Sequence, residues 1–261
     1  MKFILNILHS IYGLYAVLCF FIFMPLILLI YVFLLFLPEQ KRMMSIFYIN
    51  RVWFKLWSVL TGIWMKIEGH DFIERNESYV ILLTHNNLLD IPAAASCILH
   101  PFKPLVKKEL MKIPLMGQLL SLTSIPVSRK SKESRKASFE RMVSHINRGI
   151  SVLIFPEGTR NRSEKPLKDF YDGGFKLAIR TQKPILPVVI LGHRELQPVD
   201  TFRAKPGTLT FKIMEPINTV GMAAGDAETL KEKVHQLMLK TLLEEDPYTM
   251  AKEKDKEKVK S

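Results

Sequence analysis

No Asp, Glu, Lys or Arg occurs between Lys2 and Glu39, so residues 3 to 38 form 36 consecutive uncharged positions. From Ile11 to Leu37 the run is almost wholly apolar. As a helix rising ~1.5 Å per residue it would reach roughly 40 Å, more than the ~30 Å hydrocarbon core of a bilayer. A signal peptide would have a shorter apolar region and a small-residue cleavage site, and the run shows neither. Pro25 stands near its middle. It permits a single kinked span, or a helical hairpin that dips into one leaflet and returns. Lys2 precedes the run, whereas Lys41, Arg42, Arg51 and Lys55 follow it. This bias puts the bulk of the chain on the cytoplasmic face, which in a bacterium means the inner membrane.

Met43–Lys66 reads as a second, amphipathic helix. At ~100° per residue, Trp53, Trp57 and Trp64 fall within about 40° of one another, with Arg51, Lys55 and Lys66 opposite. Such a helix suits the headgroup layer; the same face could instead dock on the protein's own core. Beyond Glu68, short apolar runs alternate with mixed segments. Strands are expected at Tyr79–Leu83, Pro104–Val106, Ile125–Val127, Ser151–Phe155, Ile185–Leu191 and Thr208–Met214. Between and after them, helices are expected at Pro92–Leu99, Leu115–Leu122, Ser131–Asn147, Gly174–Thr181 and Asp226–Glu244. The pattern predicts an α/β domain, a mixed and partly parallel sheet flanked by helices, behind an N-terminal membrane-embedded helical segment. The domain boundaries that follow are 1–42 for the membrane helix or hairpin, 43–68 for the interfacial helix, 69–246 for the α/β domain and 247–261 for a charged, solvated tail.

The 261 residues carry 37 Lys and Arg against 25 Asp and Glu, a net charge of +12. Residues 103–148 hold eleven of the basic residues and three Glu. Such a surface attracts anionic headgroups, coenzyme A phosphates or an acidic carrier protein. No nucleic-acid-binding module is recognisable, so nucleic acid is not an expected partner. Two cysteines, Cys19 and Cys97, are too few for a disulfide framework or a four-ligand zinc site. No metal is expected, since His9 lies at the edge of the apolar run and His70, His100, His145, His193 and His235 have no partners at ligand spacing.

In such sheets chemistry sits at the carboxyl ends of strands. After the strand ending at Leu83 comes His85, with Asp90 five residues on. On one continuous helix the two would diverge by ~140°. Pro92 favours a helix that starts only near Asp90, so His85 sits on a loop able to fold back onto the carboxylate. That contact would fix one tautomer and free the other ring nitrogen to take a proton. Asp90 could instead only cap a helix. After the strand ending at Phe155 comes Pro156-Glu157-Gly158-Thr159-Arg160. Gly158 permits close backbone approach, and Arg160 offers a planar fork of donors suited to phosphate. Glu157 could orient an arginine, accept from a ligand hydroxyl, or pair with Arg160 across a turn.

His-x4-Asp followed some seventy residues later by Phe-Pro-Glu-Gly-Thr-Arg resembles the 1-acylglycerol-3-phosphate acyltransferase family. Lys107-Lys108-Glu109-Leu110 with Ile113-Pro114 and Gly117 resembles the link to that family's second motif. Thr123–Arg129 resembles the motif itself, and Pro184–Val188 the fourth. Thr84, Asn87, Thr123 and Pro126 depart from the usual residues. The resemblance spans roughly Trp57 to Pro216. It implies acyl transfer from a thioester of coenzyme A or acyl carrier protein to the sn-2 hydroxyl of lysophosphatidic acid, with no other cofactor. His85 would be general base, Asp90 its partner, and Arg160 and Arg129 the phosphate ligands. Glu157, Gly158 and Thr159 would shape the pocket, and Lys107 would hold phosphate or the oxyanion. Transfer to another lysolipid, such as a lyso-ornithine lipid, or non-catalytic clamping of anionic lipid are the alternatives. No Gly-x-Ser-x-Gly elbow marks a serine-hydrolase route.

Overall fold

The computed structural model describes residues 2–260 apart from positions 88, 89, 99, 129, 130, 199, 200 and 202. The uncharged run forms α1 (Lys2–Ile22) and α2 (Met24–Leu34), broken at Phe23, with Pro25 in the first turn of α2 where its missing N–H leaves no bond unmade. Together they are long and apolar enough to cross a membrane. The chain turns at Pro38 and returns as α3 (Glu39–Thr61). Trp57 Nε1 donates to the Ala16 carbonyl at 2.8 Å, Tyr12 Oη to Thr61 at 2.6 Å and Tyr15 Oη to Leu60 at 2.9 Å. Phe20 stacks on Trp53 with ring centroids 4.6 Å apart. The outer face of α1 and α2 stays apolar and uncovered, with Phe3, Ile22 and Phe33 all more than 60% exposed.

The expected helix over Met43–Lys66 ends early. Gly62 takes a left-handed φ of 66°, which closes α3 at Thr61, and Ile63–Glu68 becomes strand β1. The three tryptophans therefore do not share one interfacial face. Trp53 and Trp57 are buried against α1, and Trp64 projects from β1 at 53% exposure.

The remaining strands are β2 (Val80–Leu83), β3 (Phe102–Lys107), β4 (Ile125–Val127), β5 (Ser151–Ile154), β6 (Ile185–Leu191) and β7 (Gly207–Ile213). They form one seven-stranded sheet in the order β1-β7-β6-β2-β5-β3-β4. Every neighbouring pair is parallel except β6–β7. β2, β5 and β6 are buried along their whole length, which is why they read as unbroken apolar runs. One face of the sheet packs against the hairpin, α4 (Asp90–Cys97) and α5 (Met116–Thr123). The other packs against α6 (Lys132–Asn147), α7 (Gly173–Thr181) and α9 (Ala227–Glu245). A four-residue helix, α8 (His193–Leu196), follows β6.

Residues 247–260, expected as a solvated tail, form helix α10 (Pro247–Lys260). Its first turn is held down: Asp246 accepts from Gly192 N at 2.8 Å and from Thr249 Oγ1 at 2.7 Å, and Arg194 lies over the Tyr248 ring. The apolar Tyr248 and buried Thr249, lost among the lysines in composition, account for the docking.

Candidate active site

β2 and β5 lie side by side and end at the same edge of the sheet, which brings His85 and the segment after Ile154 together across seventy residues of sequence. His85 sits on the loop before α4, and the helix begins at Asp90, so the side chains are free to meet. His85 Nδ1 lies 2.9 Å from Asp90 Oδ2. The same oxygen accepts from Asn86 N at 2.7 Å and Asn87 N at 2.8 Å. Asp90 thus holds the turn and the ring at once, and at 2% exposure its charge is compensated by three N–H donors rather than by water. The imidazole also stacks on Phe155, centroids 3.8 Å apart and planes 16° from parallel. Both ring rotation and tautomer are therefore constrained, with Nδ1–H committed to the carboxylate.

Glu157 is turned toward backbone and not toward Arg160. Its side chain is buried, and both oxygens are spent on backbone: Oε1 accepts from His85 N at 3.0 Å and Oε2 from Lys168 N at 3.2 Å. It touches neither Arg160 nor the cavity described below; it fastens the histidine loop to the loop after β5. Asn161 N adds a second fastening, donating to the His85 carbonyl at 2.7 Å. Burial pushes the Glu157 carboxyl up to about 7; the N–H groups of His85 and Lys168 and the Lys168 charge pull the other way, and Asp90 adds to the rise. The folded protein therefore holds a proton there that the unfolded chain, near its ordinary 4.5, releases earlier. The contribution to stability is full below pH ~4.5 and is lost as pH rises toward ~7, at most about 3 kcal/mol. In Glu157→Gln this slope disappears, while one N–H loses its acceptor at a cost of about 1–3 kcal/mol. Thermal unfolding should therefore show a wide gap between the two proteins near pH ~5 and a narrower one near pH ~8. Parallel curves would show that Glu157 does not titrate in this window.

A cavity of about 790 Å³, mostly apolar, runs from this edge between the hairpin and the sheet. Phe20, Phe47, Trp53 and Trp57 line it from the hairpin, and Val106, Met116 and Leu120 from β3 and α5. Asn86, Asn87, Asp90, Arg160 and Arg162 are among its polar lining residues. His85 stands beside this wall with 18% of its side chain exposed. Gly158 adopts φ 71° in the turn closed by its N–H on the Phe155 carbonyl, and Thr159 is exposed and accepts from Lys168 Nζ at 2.7 Å. Neither lines the cavity. Lys107 is exposed at the end of β3 and also lies off the wall. Arg129 lies outside the described residues.

His193 was not singled out in the sequence. It follows β6 at the same sheet edge, with Nε2 3.9 Å from Asp90 Oδ1, on the cavity wall. Its position just past an apolar strand was the available signal. Burial lowers its pKa, which keeps it neutral beside the carboxylate. Gln197 accepts from Asn87 Nδ2 and so braces the histidine loop from the far side. Cys97 is buried in α4 and its thiol is pushed up to about 12 by desolvation, which excludes it as a nucleophile.

Residues 65–191 match the protein family described as Acyltransferase. A putative 1-acyl-sn-glycerol-3-phosphate acyltransferase of Caenorhabditis elegans is 30% identical over 196 residues, covering 71% of this chain and 67% of that protein. An uncharacterized acyltransferase of Schizosaccharomyces pombe is 29% identical over 207 residues, 77% of this chain and 74% of its own. The 1-acyl-sn-glycerol-3-phosphate acyltransferase alpha of Homo sapiens is 25% identical over 182 residues, 69% and 64% respectively. The fold is that of the 1-acyl-sn-glycerophosphate (LPA) acyltransferase crystal structure from Thermotoga maritima, with a TM-score of 0.75, 23% identity and coverage of 94% of this chain and 97% of that one.

Proposed function

The chain belongs to the 1-acyl-sn-glycerol-3-phosphate acyltransferases, a family of the acyltransferases, and on that premise we propose that it acylates the sn-2 hydroxyl of 1-acylglycerol-3-phosphate to give phosphatidic acid. The observation that carries the reading is the 2.9 Å contact of His85 Nδ1 with Asp90 Oδ2 beside a mostly apolar cavity whose wall also carries Arg160 and Arg162. His85 Nε2 takes the hydroxyl proton as the oxygen attacks the thioester carbonyl carbon. The carbon–sulfur bond breaks, and the imidazolium returns the proton to the departing thiolate. Asp90 faces the positive charge that forms on the ring, which stabilises the step where charge develops. No acyl-enzyme is needed, and the donor is an acyl thioester, of coenzyme A or of a carrier protein.

Arg160 supplies the fork for the acceptor's phosphate, assisted by Arg162; the apolar stretch of the cavity takes acyl chain. The basic residues that follow the uncharged run orient the catalytic domain to the cytoplasmic face. Purified protein in detergent, given both thioester donors and a panel of lysolipids, should form phosphatidic acid fastest. In Arg160→Ala the KM for lysophosphatidic acid should rise roughly 10- to 100-fold, as expected for loss of a charge-assisted pair, with a smaller change in kcat. An unchanged KM would move phosphate recognition to other residues. Faster turnover of a lysolipid with another headgroup would replace the acceptor.

A further inference from the structure

Residues 107–117, which join β3 to α5, form an ordered prong. A short 3-10 helix at Lys108–Lys112 is followed by closing bonds from Met116 N to the Pro114 carbonyl and from Gly117 N to the Ile113 carbonyl, both 2.7 Å. Gly117 is packed so closely that a Cβ there would lie 2.1 Å from the Met111 carbonyl oxygen. At the tip, Leu115 has φ 63°, a conformation L side chains rarely adopt. Yet the three residues at that tip, Ile113, Pro114 and Leu115, face solvent, with Ile113 46% and Leu115 42% exposed. Lys107, Lys108 and Lys112 are exposed around them, with Glu109 the one acid in the segment. The segment is not remote from the site: Leu110, Ile113 and Met116 also line the same cavity as Phe20, Phe21 and Phe47 of the hairpin.

A rigid apolar tip ringed by lysines, on the same face of the sheet as the hairpin, fits a bilayer and not bulk water. Apolar side chains enter the acyl region while ammonium groups stay with lipid phosphates. We propose that residues 107–117 are a second membrane contact, separate from the hairpin. Leu115 and its neighbours sit among the lipid chains, and the acceptor passes from the bilayer into the cavity beside them. The delivery role rests on the lipid-acceptor reading above; the contact itself does not, and the two separate experimentally.

The contact is read with Leu115→Trp in the full chain on vesicles of phosphatidylcholine and phosphatidylglycerol, with the parent's tryptophan emission subtracted. Lipids brominated on their acyl chains should quench the added indole several-fold more than one introduced by Val220→Trp, an exposed position next to Thr219, whose hydroxyl donates to Ala178 of α7 on the other face of the sheet. Equal quenching at the two positions would overturn the proposal. Delivery is read with Leu115→Asp. Its rate on long-chain lysophosphatidic acid held in vesicles should fall about tenfold, while its rate on a short-chain, monomeric acceptor stays within about twofold. Equal losses on both acceptors, or none on either, would overturn delivery. If the parent acylated no lysolipid at all, the acceptor reading would fail and the quenching result would stand by itself.

Discussion

His85→Ala should lower kcat by about 10²- to 10⁴-fold, the range general acid–base groups supply, and leave the protein folded. The side chain makes one hydrogen bond, to Asp90, and stacks on Phe155. Its removal leaves Asp90 with the Asn86 and Asn87 N–H groups, so no buried carboxylate is stranded. The backbone N–H of residue 85 still reaches Glu157. Far-ultraviolet circular dichroism and vesicle binding should therefore match the parent while phosphatidic acid formation collapses. A protein that merely clamps anionic lipid would lose nothing in this variant, because its cationic surface is untouched. Retained turnover in a folded His85→Ala protein would assign the base elsewhere.

Asp90→Asn should cost about 10²- to 10³-fold in kcat with little change in KM. Asparagine can put its amide oxygen where Oδ2 now accepts, so the Asn86 and Asn87 bonds and the start of α4 survive. What disappears is the negative charge facing the imidazolium, and that charge matters most when the proton has moved. The loss should thus fall on kcat. Asp90→Ala would be less informative, since it leaves three N–H donors without their acceptor and endangers the loop itself. A rise in KM with unchanged kcat would recast Asp90 as part of the acceptor's binding surface.

How far the sequence disclosed this arrangement depended on whether the decisive signal was local. The strands Ile125–Val127 and Ile185–Leu191 agree residue for residue with the fold, the second because a strand buried along its whole length must be apolar on both faces. The His85–Asp90 contact was legible because Pro92 limits where a helix can begin. β1 was hidden because Ile63–Glu68 continues the hydrophobic spacing of the helix before it; Gly62 was the punctuation that separates them. The tryptophans are equally instructive. Their angular grouping was real for Trp53 and Trp57, but a helical wheel does not say whether lipid or another helix meets the face, and here α1 does.

Glu157 shows a different limit. A carboxylate in a loop beside an arginine suggests a ligand or an ion pair, and only the side-by-side placement of β2 and β5 reveals that its acceptors are aimed at backbone. The same holds for His193, 103 positions past Asp90 and brought to it by β6. Contacts made across the sheet edge leave no pattern along the chain. They follow from strand order, which local spacing does not encode.

The most direct test of the paired imidazole and carboxylate is kcat for His85→Ala/Asp90→Asn set against the two single variants. If the carboxylate acts through the ring, Asp90→Asn should add no further loss once His85 is gone, so the double variant should be no slower than His85→Ala. Losses that multiply would show that Asp90 and His85 serve the reaction separately, and would contradict the assignment of His85 as a base steered by Asp90.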